Sequence, residues 1–202
     1  MKKYKPKKML SDSRFSKYVK TLSKNEYNFT LKNLDQLVLE NREYVDDKNY
    51  GYLCNLFSCL ALVWMLEKEG NTREESEKIV LDAMYDFLKP KIPAMNWISK
   101  HRWFVPMLRK TMPKKFSRTC GNGWKLSFPE SEKNCFVMIT HECLFAKIFK
   151  KYGMPELTFG FCKVDNLMYD KLPNTRFFYT ERIGEGGNKC DYHFERMDKR
   201  KK

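Results

Sequence analysis

"ERIGEGGNKCDYHF", residues 181–194, decides how the C-terminal half of this chain is read. Gly184, Gly186 and Gly187 crowd into four residues, and glycine adopts turn conformations that other residues resist. The run that follows alternates as a strand does. Cys190, Tyr192 and Phe194 share one face, and Asp191, His193 and Glu195 the other. The aromatic companions put Cys190 on the packed face. "TRFFYTERI" (175–183) is predicted to be the preceding strand, so the glycines close a β-hairpin.

Working outward, "CGNGW" (120–124) opens a second β region. "WKLSF" (124–128) alternates and "CFVMIT" (135–140) is rich in β-branched and aromatic residues, which predicts a hairpin over 124–140. A helix at about 142–152 buries Leu144, Phe145, Ile148, Phe149 and Tyr152, and Gly153 ends it. Pro155 suits the first turn of the next helix, which runs to Leu172-Pro173. The C-terminal order is therefore β-β-α-α-β-β. Upstream, apolar residues at Leu53, Leu56, Phe57, Leu60, Ala61 and Trp64 predict a helix over 51–69, ended by Gly70. Thr72 and Glu75 form a capping box for a helix with Ile79, Val80, Ala83, Met84, Phe87 and Leu88 on one face, stopped by Pro90 and Pro93. Residues 95–112 read as short helical pieces interrupted by Pro106. The fold class is α+β, a helical N-terminal half packed on a C-terminal β-β-α-α-β-β antiparallel sheet unit. Residues 1–48 read as a basic, loosely helical and partly flexible lead-in. Residues 49–118 form a helical layer and 119–197 the ligand-binding or catalytic unit, 49–197 making one domain, with a basic tail at 198–202.

Of the 202 residues, 42% are hydrophobic and 15% aromatic, enough for a sizeable core and against wholesale disorder. The apolar run "LFSCLALVWML" (56–66) is shorter than the roughly 20 residues a membrane span needs. "MKKYKPKKML" lacks the apolar stretch of a secretion signal, so a cytoplasmic location and no membrane span are expected. Net charge is +14, much of it in the two lysine-rich ends. No helix-turn-helix pattern and no interleaving of basic and aromatic residues for base stacking stands out, which argues against nucleic acid as a partner. Seven cysteines, an odd and scattered set, are expected to be free in a reducing compartment.

Cys143 opens a helix, where the dipole favours thiolate. Cys162 and Asp165 share one helical face. Each residue also has a plain structural reading: buried thiols behave as small hydrophobes, glycine clusters as turns, and Asp165 and Asp191 as helix-face and strand-edge acids. His141 and His193 read equally as exposed strand residues, and Cys54 and Cys59 as packing within an apolar helix. No CxxC pair occurs, and gaps of 19 and 28 residues between Cys143, Cys162 and Cys190 match no standard zinc finger.

Taken in order, "CGNGW", "THECLFAKIFKKYGMPELTFGFCKVDNLMYDKL" and "ERIGEGGNKCDYHFER" resemble the L-2-amino-thiazoline-4-carboxylic acid hydrolase family over about residues 45–196. The matching positions are Gly121, Gly123 and Trp124; Cys143; Gly153, Pro155, Glu156 and Leu157; Cys162 and Asp165; and Ile183, Gly184, Gly186, Gly187, Cys190 and Asp191, with Tyr192 in place of the usual Phe. One departure is that the strand before the glycine turn, where the family commonly has Arg-Thr, reads Tyr179-Thr180; if that Arg holds a substrate carboxylate, this chain either accepts something else or uses Arg182 or Arg176. The resemblance implies hydrolytic opening of a cyclic amidine by C–S cleavage to an N-carbamoyl amino acid. Candidate catalytic residues are Cys143, Asp165, His141 and Asp191, with Trp124, Tyr179, Arg182, Gly186 and Gly187 as substrate contacts. No cofactor is expected; if a metal ion is bound, Cys143, Cys162 and Cys190 are its ligands. Two other readings stay open, a small-molecule-binding or sensing domain of the 4-vinyl reductase type and a cysteine-ligated metal protein. Oligomeric state is left open.

Overall fold

The computed structural model describes residues 4–197. The predicted basic tail at 198–202 lies outside them. Among the described residues two compact units emerge, 4–88 with 119–122 and 89–118 with 123–197.

The first unit is helical, with α1 (Pro6–Asp12), α2 (Lys24–Glu40), α3 (Tyr50–Lys68) and α4 (Arg73–Leu88). The lead-in thus carries two α-helices. Ser23 and Glu26 form a reciprocal capping box at the start of α2, and Leu34, Leu37 and Val38 bury its inner face. α3 packs against α1, α2 and α4 and is buried on almost every side, the behaviour of a helix that is apolar all round. By length and composition α3 could cross a membrane, but 72% of its most apolar stretch is buried inside the protein, the placement of a core helix. Gly70 sits at φ +98°, and its N–H and that of Asn71 bond Glu67 and Leu66 carbonyls, as a left-handed helix stop requires. The Thr72–Glu75 box caps α4 as predicted.

"CGNGW" belongs partly to this unit. Asp46 Oδ1 accepts the Lys48 and Asn49 N–H groups, and Oδ2 accepts the Asn122 N–H at 2.9 Å. Asn49 completes the knot through Gly121 N–H and Asn122 carbonyl. Position 121 is glycine because a Cβ there would lie 1.9 Å from the Asp46 carboxylate.

The second unit comprises α5 (Ile92–Ser99), all but the last residue of α6 (Phe104–Thr119), β1 (Lys125–Ser127), β2 (Cys135–Glu142), α7 (Leu144–Lys151), α8 (Glu156–Tyr169), β3 (Thr175–Phe178) and β4 (Cys190–Arg196). Its sheet is antiparallel with order β1-β2-β4-β3, which confirms the α+β class and both predicted hairpin pairings. Two local expectations are corrected. Pro106 does not break a helix; it lies in the first turn of α6, where its missing N–H has no intrahelical role. The strand predicted over 175–183 stops at Phe178, because the Thr180 and Glu181 N–H groups bond the Asp191 carboxylate instead of a strand ladder. The core is an aromatic ladder: Phe136 pairs with Phe194 across β2 and β4, and Phe177 and Tyr169 close on Phe194 from β3 and α8.

Gly121→Ala is expected to lower the urea midpoint by the equivalent of about 1–3 kcal/mol, because the Asp46 carboxylate must leave its donors. In an Asp46→Ala background the same substitution should cost much less, a coupling that a double-mutant cycle reads directly.

Candidate functional site

The glycine turn folds around one residue. The N–H groups of Glu185 and Gly187 both bond the Arg182 carbonyl, at 3.0 and 2.8 Å, and Gly186 takes the left-handed conformation at φ +90°. Gly187 packs so closely that a Cβ would lie 2.9 Å from that carbonyl oxygen. The turn drives the Arg182 side chain inward until the residue is 1% exposed. Its guanidinium lies 3.5 Å from the Tyr179 ring centre and 5.3 Å from that of Tyr192. Nη1 donates to Asn166 Oδ1 on α8 and lies 3.6 Å from Glu185. Nε and Nη2 are buried with no hydrogen-bond partner. A buried guanidinium with idle donors is costly. Those two groups form one side-on fork, the edge that grips a carboxylate with two parallel hydrogen bonds.

The same turn draws in the thiols. Ile183 N–H donates to Cys190 Sγ at 3.3 Å, and a Cβ on Gly184 would come 2.9 Å from Cys162 Sγ. Cys143 caps α7, as the sequence suggests, but it is not a resting thiolate. Burial pushes its thiol up to about 11; the Ala146 and Phe145 N–H groups pull downward without forming a capping hydrogen bond, and Cys190 and Asp165 add to the rise. Burial likewise lifts Cys162 to about 12, with Cys190, Cys143 and Asp165 adding to it and Arg182 opposing. Cys190 is raised by burial as well. Cys143, Cys162, Cys190, Asp165, Arg182 and Tyr192 thus form one electrostatically coupled group. Among the described residues no three His, Cys, Asp or Glu side chains are grouped to hold a metal ion, and all seven cysteines are free.

Beside this group lies a cavity of about 240 Å³ under the sheet, enclosed by α5, α6, α8 and the strands. Four methionines (Met95, Met107, Met112, Met138) and aromatic rings line it, with Lys115 and Asp165 as its charged groups. No thiol lines it. Asp165 and Tyr192 belong both to its wall and to the thiol–arginine group. A separate open groove of about 750 Å³ runs outside the turn, between α7, α8 and residues 183–186, and Gly186 lies on it.

Other sequence candidates stand elsewhere. His141 is exposed, its Nε2 2.8 Å from Ser127 Oγ on the neighbouring strand, because β2 still alternates there and turns this ring outward. Asp191 is 6% exposed and fully engaged: Oδ1 accepts the Thr180 and Glu181 N–H groups, Oδ2 the Thr180 hydroxyl, and His193 lies 3.5 Å away. It anchors the loop that inserts Arg182 and has no free edge for a substrate amidine. Trp124 packs edge-on against Phe145 at 5.5 Å and lines neither hollow. Gly187 lines neither and serves to close the turn. Sequence reading missed Asn166, Lys115 and the methionine wall; Asn166, one residue past Asp165, was the findable one, since it follows the matched "FCKVD".

Burial would raise the Asp191 pKa, but the Thr180 hydroxyl, the two N–H donors and His193 bring it down to about 2. A carboxylate depressed on folding stabilises above its unfolded pKa of about 3.9 and loses that contribution as pH falls through the folded value. The stability gap between wild type and Asp191→Asn is therefore expected to be full above about pH 4 and to vanish toward about pH 2, read from urea midpoints. Iodoacetamide labelling of Cys143, followed by peptide mass spectrometry, should rise about tenfold per pH unit from neutrality and still climb near pH 10, whereas a plateau below pH 8 would reveal a resting thiolate.

Among known proteins, the family model described as L-2-amino-thiazoline-4-carboxylic acid hydrolase matches residues 54–194. No curated protein matches the sequence significantly. Among solved structures, a point mutant of an Fe(II) unliganded H-NOX protein from K. algicida aligns over 95% of this chain and 96% of its own, at 9% identity and a TM-score of 0.36, too distant to carry an argument. The family match runs from α3 to the last strand and takes in Cys143, Cys162, Asp165 and the whole glycine turn, so the chain belongs to the L-2-amino-thiazoline-4-carboxylic acid hydrolase family.

Proposed function

We propose that this protein hydrolyses a cyclic amidine bearing a carboxylate, by C–S cleavage to an N-carbamoyl amino acid. The observation that carries this reading is the buried Arg182 edge with both donors idle, which fits a carboxylate, set beside a carboxylate and a thiol that fit an amidine. The Tyr179-Thr180 departure from the family pattern does not remove the cation. The Arg182 guanidinium comes back over the Tyr179 ring, so a cation occupies that neighbourhood although residue 179 is not Arg. The raised Cys143 pKa gives the reaction its order. An incoming amidinium beside Asp165 offsets one of the lesser contributions to that raised pKa, burial being the largest, and adds a positive charge that favours the thiolate. Cys143 is then activated by its substrate. Its Sγ bonds the amidine carbon, the ring C–S bond breaks, and the ring sulfur leaves as a thiolate that takes up the thiol proton. Water then adds to the same carbon, the carbamoyl product departs and the Cys143 thiol is restored. The sum is substrate plus one water.

The apolar cavity favours a second reading, in which a small amphipathic ligand binds there without turnover.

With 2-amino-thiazoline-4-carboxylate, wild-type protein should release one free thiol per turnover, measured with Ellman's reagent, and the product should be heavier by one water. Cys143→Ser is expected to lose at least about a thousandfold in kcat. Arg182→Lys should mainly raise KM, about tenfold or more, because an ammonium cannot form the fork. Saturable binding with no thiol release would favour the second reading.

A further inference from the structure

Residues 89–118 contain nine Lys or Arg and no Asp or Glu, a charge concentration that the catalytic reading leaves unused. The structure sorts this stretch by face. On its inner side α5 presents Met95 and Ile98 to the cavity, and Ser99 is buried. On its outer side Pro93 and Ala94 are exposed, with Trp97 61% exposed and Trp103, in the corner before α6, 47% exposed. His101 lies between the two indoles, its ring centre 4.9 Å from Trp97 and 5.3 Å from Trp103. Lys100, Arg102, Arg109 and Lys110 are exposed in the same stretch. The corner is held to the sheet: Arg196 donates to the Arg102 carbonyl at 3.1 Å, and Asn174 to the Lys100 carbonyl at 3.2 Å. With the inner face occupied and the backbone anchored, the indoles stay outside.

We propose that this corner docks the protein on an anionic phospholipid surface. Indole rings settle at the headgroup level, where one edge is apolar and the other wet, and Lys and Arg supply attraction to anionic lipid. An apolar centre of Pro93, Ala94, Trp97 and Trp103 with cations on the flanking positions matches that boundary. Single-stranded nucleic acid would find no use for the exposed Pro93 and Ala94. Peripheral docking of this kind is independent of the proposed hydrolysis and involves no membrane-spanning helix.

Vesicles of phosphatidylcholine alone and of phosphatidylcholine mixed with phosphatidylglycerol distinguish the possibilities by co-sedimentation. Full-length protein is expected to partition onto the mixed vesicles, to lose that binding as salt rises, and to ignore pure phosphatidylcholine. Trp97→Ala with Trp103→Ala should weaken partitioning at least about tenfold, and Lys100→Gln with Arg102→Gln about fivefold per cation removed. All four side chains are exposed except for the ring contacts with His101, so unchanged thermal midpoints would separate lost docking from lost folding. Binding to neither vesicle, or equal binding to both, overturns the proposal. So does a patch whose variants instead lose single-stranded RNA binding or self-association in sedimentation velocity while vesicles are ignored.

Discussion

One charged group inside the second unit governs its architecture. The Arg182 guanidinium is enclosed, with Nε and Nη2 unbonded among the described residues and Glu185 as an ion pair at 3.6 Å. Such a charge stays buried only if its surroundings repay a desolvation cost of several kcal/mol. The ring of Tyr179 recovers about 2 kcal/mol when desolvated, and Asn166 satisfies one nitrogen. The remainder is met by a loop that has no other option. Asp191 ties down Thr180 and Glu181 on one side of Arg182, and Gly184 and Gly187 allow contact with Cys162 and with the arginine's own carbonyl on the other. The glycine turn is thus more than the bend of a hairpin. It is a clamp that packs Gly184 on Cys162 of α8, bonds Cys190 and turns one arginine inward.

What the sequence made legible was local. A capping box at Thr72 and Glu75, a left-handed glycine at 70, and alternation through 190–194 each depend on residues within a few positions, and each is found in place. What it hid was long-range. β3 ends early because Asp191, eleven residues beyond Thr180, captures the N–H groups a longer strand would need. The lead-in becomes α1 and α2 because apolar residues spaced among lysines find α3 to cover. Arg182 entered the reading only as a substitute for an expected arginine, since Arg is rarely fully buried and nothing in "TERIG" announces a cation in the core. His141 looked like a neighbour of Cys143 in the string and faces solvent in the fold.

The thiols show most clearly how environment overrides local rules. A cysteine at a helix N-terminus is expected to ionise easily, and the Ala146 and Phe145 N–H groups do act in that direction on Cys143. Burial outweighs them, and the neighbouring acid and thiols add to it. The outcome is a set of thiols with raised pKa values near a fixed cation, Arg182, that is already shared between Asn166 and two rings.

Within that set the three cysteines are not equivalent, and the asymmetry bears on the proposed hydrolysis. Cys190 accepts the Ile183 N–H and lies in the sheet core; Cys162 is packed against Gly184. Both are committed to the clamp, and bond formation at either sulfur would have to displace the turn that holds Arg182. Cys143 stands apart at a helix cap, half-buried, and the backbone N–H groups that act on it stabilise negative charge without consuming it in a full hydrogen bond. In the proposed reaction an incoming cation therefore gains most by ionising Cys143. Of the three thiols, it is the one that can change its charge and its bonding while the fold around it stays as it is.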